Sequence, residues 1–263
     1  MLRRVADTLS DLGSPALAVG GLAARAWGGT RDLVDLDFYV PLDVIPMLAR
    51  ALAPSAAGGP VHVKGAHWDL TLLRLDLDGC AVEFGAAEDA RWRDARTGAW
   101  RSAAIDFSRH EMREIFGVRV PVMLRDELIA YKAALDRDVD AIDLHDLIGA
   151  GGPVENRIAV YGTLAPGEVN HGMLSSLGGA WTPTTINGHR HDAGWGMTHG
   201  FPALVWNPDA PAIAAHLLKS PHLPRHWTHL DAFEGPAYRR QVLPVHTKRG
   251  RVLANAYTVR WPQ

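Results

Sequence analysis

At 263 residues the chain is long enough for one large domain or two ordinary ones. Its 47% hydrophobic and 21% charged residues fit a globular protein, and a formal charge of −2 argues against a nucleic-acid partner. The single cysteine, Cys80, excludes an intramolecular disulfide and fits a reducing, cytoplasmic setting, and no apolar run reaches the length of a membrane span.

Leu2, Val5, Leu9 and Leu12 recur at helical spacing, which predicts an amphipathic surface helix and not a signal peptide. Residues 16–19 form a short apolar strand that ends at Gly20-Gly21. A helix is expected over 22–27, a strand over 33–40 and a helix over 44–52, with Pro46 tolerated in its first turn. Residues 68–75 and 80–84 flank Asp78-Gly79, a hairpin signal. The stretch 125–148 is the strongest helical segment and divides into two helices, with Asp126 as N-cap of the first. The glycine-rich break Gly149–Pro153 then sets the domains at 1–148 and 157–263, joined by a linker over 149–156. Beyond it, strands are expected at 158–161, 203–206, 241–246 and 252–259, with one helix over about 211–218.

In the first half, strand periodicity places Leu36, Phe38 and Val40 on one face and Asp35 and Asp37 together on the other. Two carboxylates so placed repel unless they are solvated or share a cation. Hard oxygen ligands suit Mg²⁺, which commonly shares its sphere with substrate phosphates. Glu83, opposite the apolar face of its own strand, is a candidate third ligand. The plainer reading leaves Asp35 and Asp37 as solvent-facing residues of an edge strand.

The order Gly20-Gly21, a helix, then Asp35-Leu36-Asp37 resembles the nucleotidyltransferase superfamily. The later Asp126-Glu127-Leu128-Ile129-Ala130-Tyr131-Lys132 and Arg137-Asp138-Val139-Asp140-Ala141-Ile142-Asp143 resemble its lincosamide-type and antitoxin-type members. The resemblance implies an α/β domain in which Gly20 and Gly21 hold nucleotide phosphates. Asp35, Asp37 and Glu83 would bind Mg²⁺, with Asp35 and Asp37 catalytic. Lys132 could reach a phosphate, and Arg31 would neutralise one unless it is a solvated loop charge.

In the second half, the strand before Tyr161-Gly162-Thr163-Leu164 leads to a turn that can offer backbone N–H groups, since Gly162 permits close approach. About seventy residues on, Leu230-Asp231-Ala232-Phe233-Glu234-Gly235 presents one carboxylate beside a glycine, where burial would raise its pKa toward that of a proton shuttle. The pairing resembles the γ-glutamylcyclotransferase family, in particular its γ-glutamylamine and avirulence-induced-gene-like branch, over residues 157–260. That resemblance implies a mixed α+β small β-barrel, with Glu234 as catalytic acid–base and 161–164 as substrate loop. It also implies substrate contacts from Tyr238, Arg239 and Tyr257, with no metal or cofactor. The histidines at 189, 191 and 199 lack a settled zinc spacing, and His222, His226 and His229 read as surface positions or a substrate rim.

The expected protein is therefore a two-domain enzyme. It would release 5-oxoproline from a γ-glutamyl amine or peptide, and would transfer a nucleoside monophosphate from a nucleotide triphosphate to a small-molecule or protein acceptor. A non-catalytic nucleotide- and metabolite-binding protein, of regulatory or toxin–antitoxin type, is the alternative.

Overall fold

A computed structural model describes residues 1–53, 59–149, 153–191 and 203–259. The chain forms two compact units, Met1–Ala150 and Gly151–Gln263. No helix among the described residues is long and apolar enough to cross a membrane.

The first unit begins with α1 (Leu2–Asp11), whose Leu2, Val5 and Leu9 are buried on one stripe. Then come β1 (Leu17–Ala18), α2 (Gly20–Ala26), β2 (Asp35–Val40) and α3 (Ile45–Leu52). An antiparallel region follows: β3 (Val61–Lys64), β4 (Trp68–Leu77), β5 (Cys80–Ala86), β6 (Arg91–Arg93), β7 (Trp100–Ser102), β8 (His110–Ile115) and β9 (Val118–Met123). Two helices, α4 (Arg125–Leu135) and α5 (Asp138–Ile148), close the unit. The strands form one mixed sheet in the order β7-β6-β4-β5-β2-β1-β9-β8, with β3 beside β4. Asp78 and Gly79 both take positive φ, 56° and 79°, as a tight hairpin whose twist matches its strands requires.

β2 is an interior strand, parallel to β5 on one side and antiparallel to β1 on the other. The reading of Asp35 and Asp37 as edge-strand residues is thereby corrected. Leu36, Phe38 and Val40 are buried, and Phe38 stacks on Phe84 with ring centroids 5.9 Å apart. That packing fixes the register, because a one-residue slip would turn the carboxylates into the core. The expected cap of α4 is also corrected: Leu124 occupies the N-cap, and Asp126 lies in the first turn, where its charge suits the helix dipole.

The second unit contains β10 (Arg157–Val160), α6 (Gly172–Ser175), β11 (Ala180–His191), β12 (Ala203–Trp206), β13 (Ala212–Lys219), α7 (Trp227–Glu234), β14 (Tyr238–Thr247) and β15 (Gly250–Val259). β11, β13, β10, β15 and β14 pair in sequence, and β14 returns to β11 through Thr185 and His246. This closes a five-stranded barrel, with β12 extending it from β11. The core gathers Ile158, Val160, Leu174, Leu218, Trp227, Leu230 and Tyr257.

Two expectations fail here for physical reasons. The helix expected over 211–218 is β13, because the Ala- and Leu-rich segment pairs with β11 on one side and β10 on the other. Those two ladders override its helix propensity. The linker expected over 149–156 is shorter, because Val154–Asn156 is a 3₁₀ turn with Val154 buried. Asn255 Nδ2 donates to Val154 O at 2.8 Å and Trp227 Nε1 to Glu155 O at 3.1 Å, so this segment belongs to the barrel. Residues 150–152 of that linker, and His199, lie outside the described residues.

Candidate active sites

In the first unit, parallel pairing sets Asp35 against Ala81 and Asp37 against Glu83. Asp35, Asp37 and Glu83 bring carboxylate oxygens within 4.8 Å of one another, the only such group among the described residues. Burial, with the charges of Asp35 and Glu83, pushes Asp37 up to about 7. Asp35 is raised as well, chiefly by burial, while Arg31, Arg74 and Arg137 oppose the rise. Such a set of hard oxygens, forced together and relieved by positive charge, fits Mg²⁺.

Gly20 has φ +59°, and a side chain there would collide with Asp37 Oδ2. Its lack of a side chain is what admits the carboxylate. A Cβ at Gly21 would come within 2.7 Å of an Arg31 nitrogen. The glycine pair thus seats the acidic cluster and Arg31 against the loop.

Arg31 and Lys132 depart from expectation. Arg31 forms a two-pronged pair with Asp143, at 3.1 and 3.2 Å, and is largely buried rather than solvated. The Lys132 side chain is fully buried, its Nζ 2.7 Å from Asp143 and 3.4 Å from Asp140. A phosphate-reaching role for Lys132 is corrected to a buried ion pair that ties α4 to α5. Arg137 completes the chain of charges, bonding Asp140 at 2.7 and 2.8 Å while its guanidinium lies over Trp68. Sequence spacing gave no role to Asp140 or Asp143, because Lys132 and Arg31 reach them from other elements; the Arg137–Asp140 pair is local, three residues apart at the start of α5. Arg74 holds Glu83 at 2.6 Å from across the β4–β5 hairpin.

In the second unit, Glu234 is the last residue of α7 and Gly235 follows with φ 75°. Its carboxyl is half-buried, and that burial raises it to about 7. The negative end of the helix dipole disfavours its charge further. Tyr161, Tyr238 and Tyr257 lie close enough that a charge on Glu234 raises each of them. Tyr161 follows β10 and donates to Tyr257 O at 2.7 Å; Tyr238 opens β14 and Tyr257 lies in β15. Three strand ends thus deliver tyrosines to one helix-terminal carboxyl.

The loop beyond Tyr161 is a run of tight turns, with Ala165 N bonded to Gly162 O and Asn170 N to Thr163 O. Gly162 and Thr163 are partly accessible. Leu164 corrects the expectation for its side chain, which is buried in the barrel core and leaves only its backbone for a ligand. Arg239 bonds Gln241 Oε1 at 3.0 Å along its own strand. Asp231 had no role in the sequence reading, yet it accepts from Tyr257 at 2.6 Å and from Arg240 at 2.9 and 3.1 Å. Arg240 also stacks over Trp227.

Residues 158–263 match the family model "Gamma-glutamyl cyclotransferase, AIG2-like". The match includes Glu234 and the three tyrosines, and covers the barrel. None of the curated proteins compared with the chain matches it.

Among solved structures, the chain is similar to a putative nucleotidyltransferase from Thermotoga maritima, with 21% identity and a TM-score of 0.41, over 49% of this chain and 80% of that one. It is also similar to an AIG2-like protein from Mus musculus, with 23% identity and a TM-score of 0.34, over 41% and 79%. A third likeness is to ANT(2")-Ia in complex with adenylyl-2"-tobramycin, with 18% identity and a TM-score of 0.35, over 51% and 74%.

Proposed function

We propose that the second unit catalyses γ-glutamyl cyclotransfer, with Glu234 as the proton shuttle. The observation that carries this reading is a half-buried carboxyl raised to about 7 beside three tyrosines, inside the segment that matches the cyclotransferase family. The α-amine of a γ-glutamyl amine or peptide attacks the γ-carbonyl carbon, forming the ring C–N bond. Glu234 takes the proton that the amine loses. As the bond to the leaving nitrogen breaks, Glu234 returns that proton, and 5-oxoproline and the free amine depart. A group with pKa near the working pH serves both halves well. Backbone N–H groups of 162–164 would stabilise the carbonyl oxygen as it gains charge. Screening γ-glutamyl amines and peptides for 5-oxoproline release tests the reading, and no release from any of them would refute it.

For the first unit we propose nucleotidyl transfer dependent on Mg²⁺. Support comes from the approach of Asp35, Asp37 and Glu83 to within 4.8 Å. These three carboxylates would hold the metal, which when bound neutralises charge on the transferring phosphate. Gly20 keeps Asp37 in position, while the buried Arg31–Asp143–Lys132 pairing holds α4 and α5 over the sheet. Pyrophosphate release from nucleotide triphosphates with Mg²⁺, in the presence of candidate acceptors, is the test.

A further inference from the structure

The face of β2 that presents Asp35 and Asp37 presents Tyr39 two residues further on. Tyr39 borders a cavity of about 330 Å³, whose wall includes Trp92, Tyr131, Asp106, Arg109 and Glu127. That volume is at the small end of ligand pockets, roughly 300–1,000 Å³.

The wall is preformed. Trp68 Nε1 donates to the Tyr131 hydroxyl at 2.8 Å, and Trp92 meets the Tyr131 ring edge-on at 5.9 Å and 82°. Small residues, Ala103, Ala104 and Ala130, leave the space open. Ala104 has φ +48°, an uncommon conformation for a residue with a side chain.

The charged groups at the cavity are unbalanced. Arg109 pairs with Glu127 at 2.5 Å and also faces Asp106, so one cation serves two carboxylates. Ser108 donates its N–H and its hydroxyl to Asp106 Oδ1, at 2.9 and 2.7 Å. Those bonds fix the carboxylate and hold it ionised, and neither uses Oδ2. Aromatic walls beside a net negative rim favour a cation with a flat apolar body and disfavour a triphosphate.

We propose that this cavity binds a small amine with a flat, apolar body, and that it is the acceptor side of the first unit's nucleotidyl-transfer centre. The second clause rests on the nucleotidyl-transfer reading; the first does not. Tyr39, in the cavity wall, lies two residues along β2 from Asp37, about 7 Å at roughly 3.3 Å per residue. An amine held there would present its remaining polar groups toward the acidic cluster.

Calorimetric titration of the full chain with tryptamine, and with indole-3-propionate as the anionic match in shape, tests the site. Tryptamine should bind one to one, at least about tenfold more tightly than indole-3-propionate. Ala130→Trp, at an exposed position of α4, and Asp106→Lys should each weaken tryptamine by about tenfold or more, with circular dichroism confirming that both variants fold. Equal affinity for the two probes, no binding of tryptamine, or unchanged binding in Ala130→Trp overturns the site. Selective tryptamine binding, lost in the two variants but without pyrophosphate release from any nucleotide with any amine, upholds the site and overturns its link to nucleotidyl transfer.

Discussion

The Tyr257 hydroxyl donates to Asp231 at 2.6 Å, and Asp231 lies one helical turn before Glu234 on α7. The bond ties the last strand of the barrel to the helix that carries the carboxyl. Arg240 grips the same Asp231 and holds it well in its ionised form, so the junction is charge-assisted. The Tyr257 hydroxyl is thereby committed to the bond that ties β15 to α7.

Asp231→Asn should loosen that junction while leaving the carboxyl of Glu234 in place. The expected outcome is a lower kcat with a smaller change in KM, and a stability loss of no more than about 1 kcal/mol, since the pair is solvent-screened and Asn keeps an accepting oxygen. Kinetics and thermal melts on the same preparation check it. An unchanged kcat would mean that α7 is held in place without Asp231.

Glu234→Gln separates a proton shuttle from a structural acid. The amide keeps the shape but cannot cycle a proton, so turnover should fall about 10²–10⁴-fold with substrate still bound. The Glu234 carboxyl is raised on folding, so the folded state holds its proton between the unfolded pKa and about 7. Stability from this group is full below the unfolded pKa and is lost as pH rises through about 7. At pH 8 the glutamine variant should therefore melt higher than the parent, by an amount on the order of 1–2 kcal/mol. At pH 4 the two should melt alike. A capping role predicts the opposite, a lower melting temperature with activity per folded molecule retained.

The same group sets a pH profile. Only ionised Glu234 can accept the amine proton, so kcat/KM for 5-oxoproline release should rise with pH through an acid limb near 7. A limb near the ordinary glutamate value, about 4.3, would mean that the carboxyl is solvated in the working enzyme.

Features written in local pattern were legible in the sequence. Alternation placed Asp35 and Asp37 on one face, Asp78-Gly79 marked its hairpin, and the apolar stripe of residues 2–9 marked α1. The motif around Glu234 singled out the carboxyl beside Gly235 but not the helix, α7, that carries it. Features created by pairing between distant segments were not legible. β13 reads as a helix until β10 and β11 flank it, and Lys132 reads as a free cation until Asp140 and Asp143 close on it. Asp231 gains a role only when β14 and β15 bring Arg240 and Tyr257 to it.

The Asp35→Asn/Asp37→Asn variant probes the acidic cluster. It removes two of three charges that repel one another, so the fold should be retained or slightly stabilised, since Asp37 is raised to about 7 by burial and its neighbours. Mg²⁺-dependent ATP binding should be lost. Unchanged ATP affinity in calorimetry would remove the metal role from these carboxylates.

Lys132 gives the last test, because the two readings of it predict opposite results. As a phosphate ligand it would contribute to nucleotide affinity and little to stability. As a buried ion it does the reverse: its side chain is fully buried, with carboxylates at 2.7 and 3.4 Å. Lys132→Met keeps much of the volume and removes the charge, leaving Asp143 to Arg31 and Asp140 to Arg137. Breaking a buried pair from one side costs about 3–5 kcal/mol, and the two remaining arginines should hold the loss near the lower figure. Chemical denaturation should show that loss, while ATP affinity per folded molecule changes less than about threefold. A stable variant with ATP binding weakened tenfold or more would restore Lys132 to the nucleotide site.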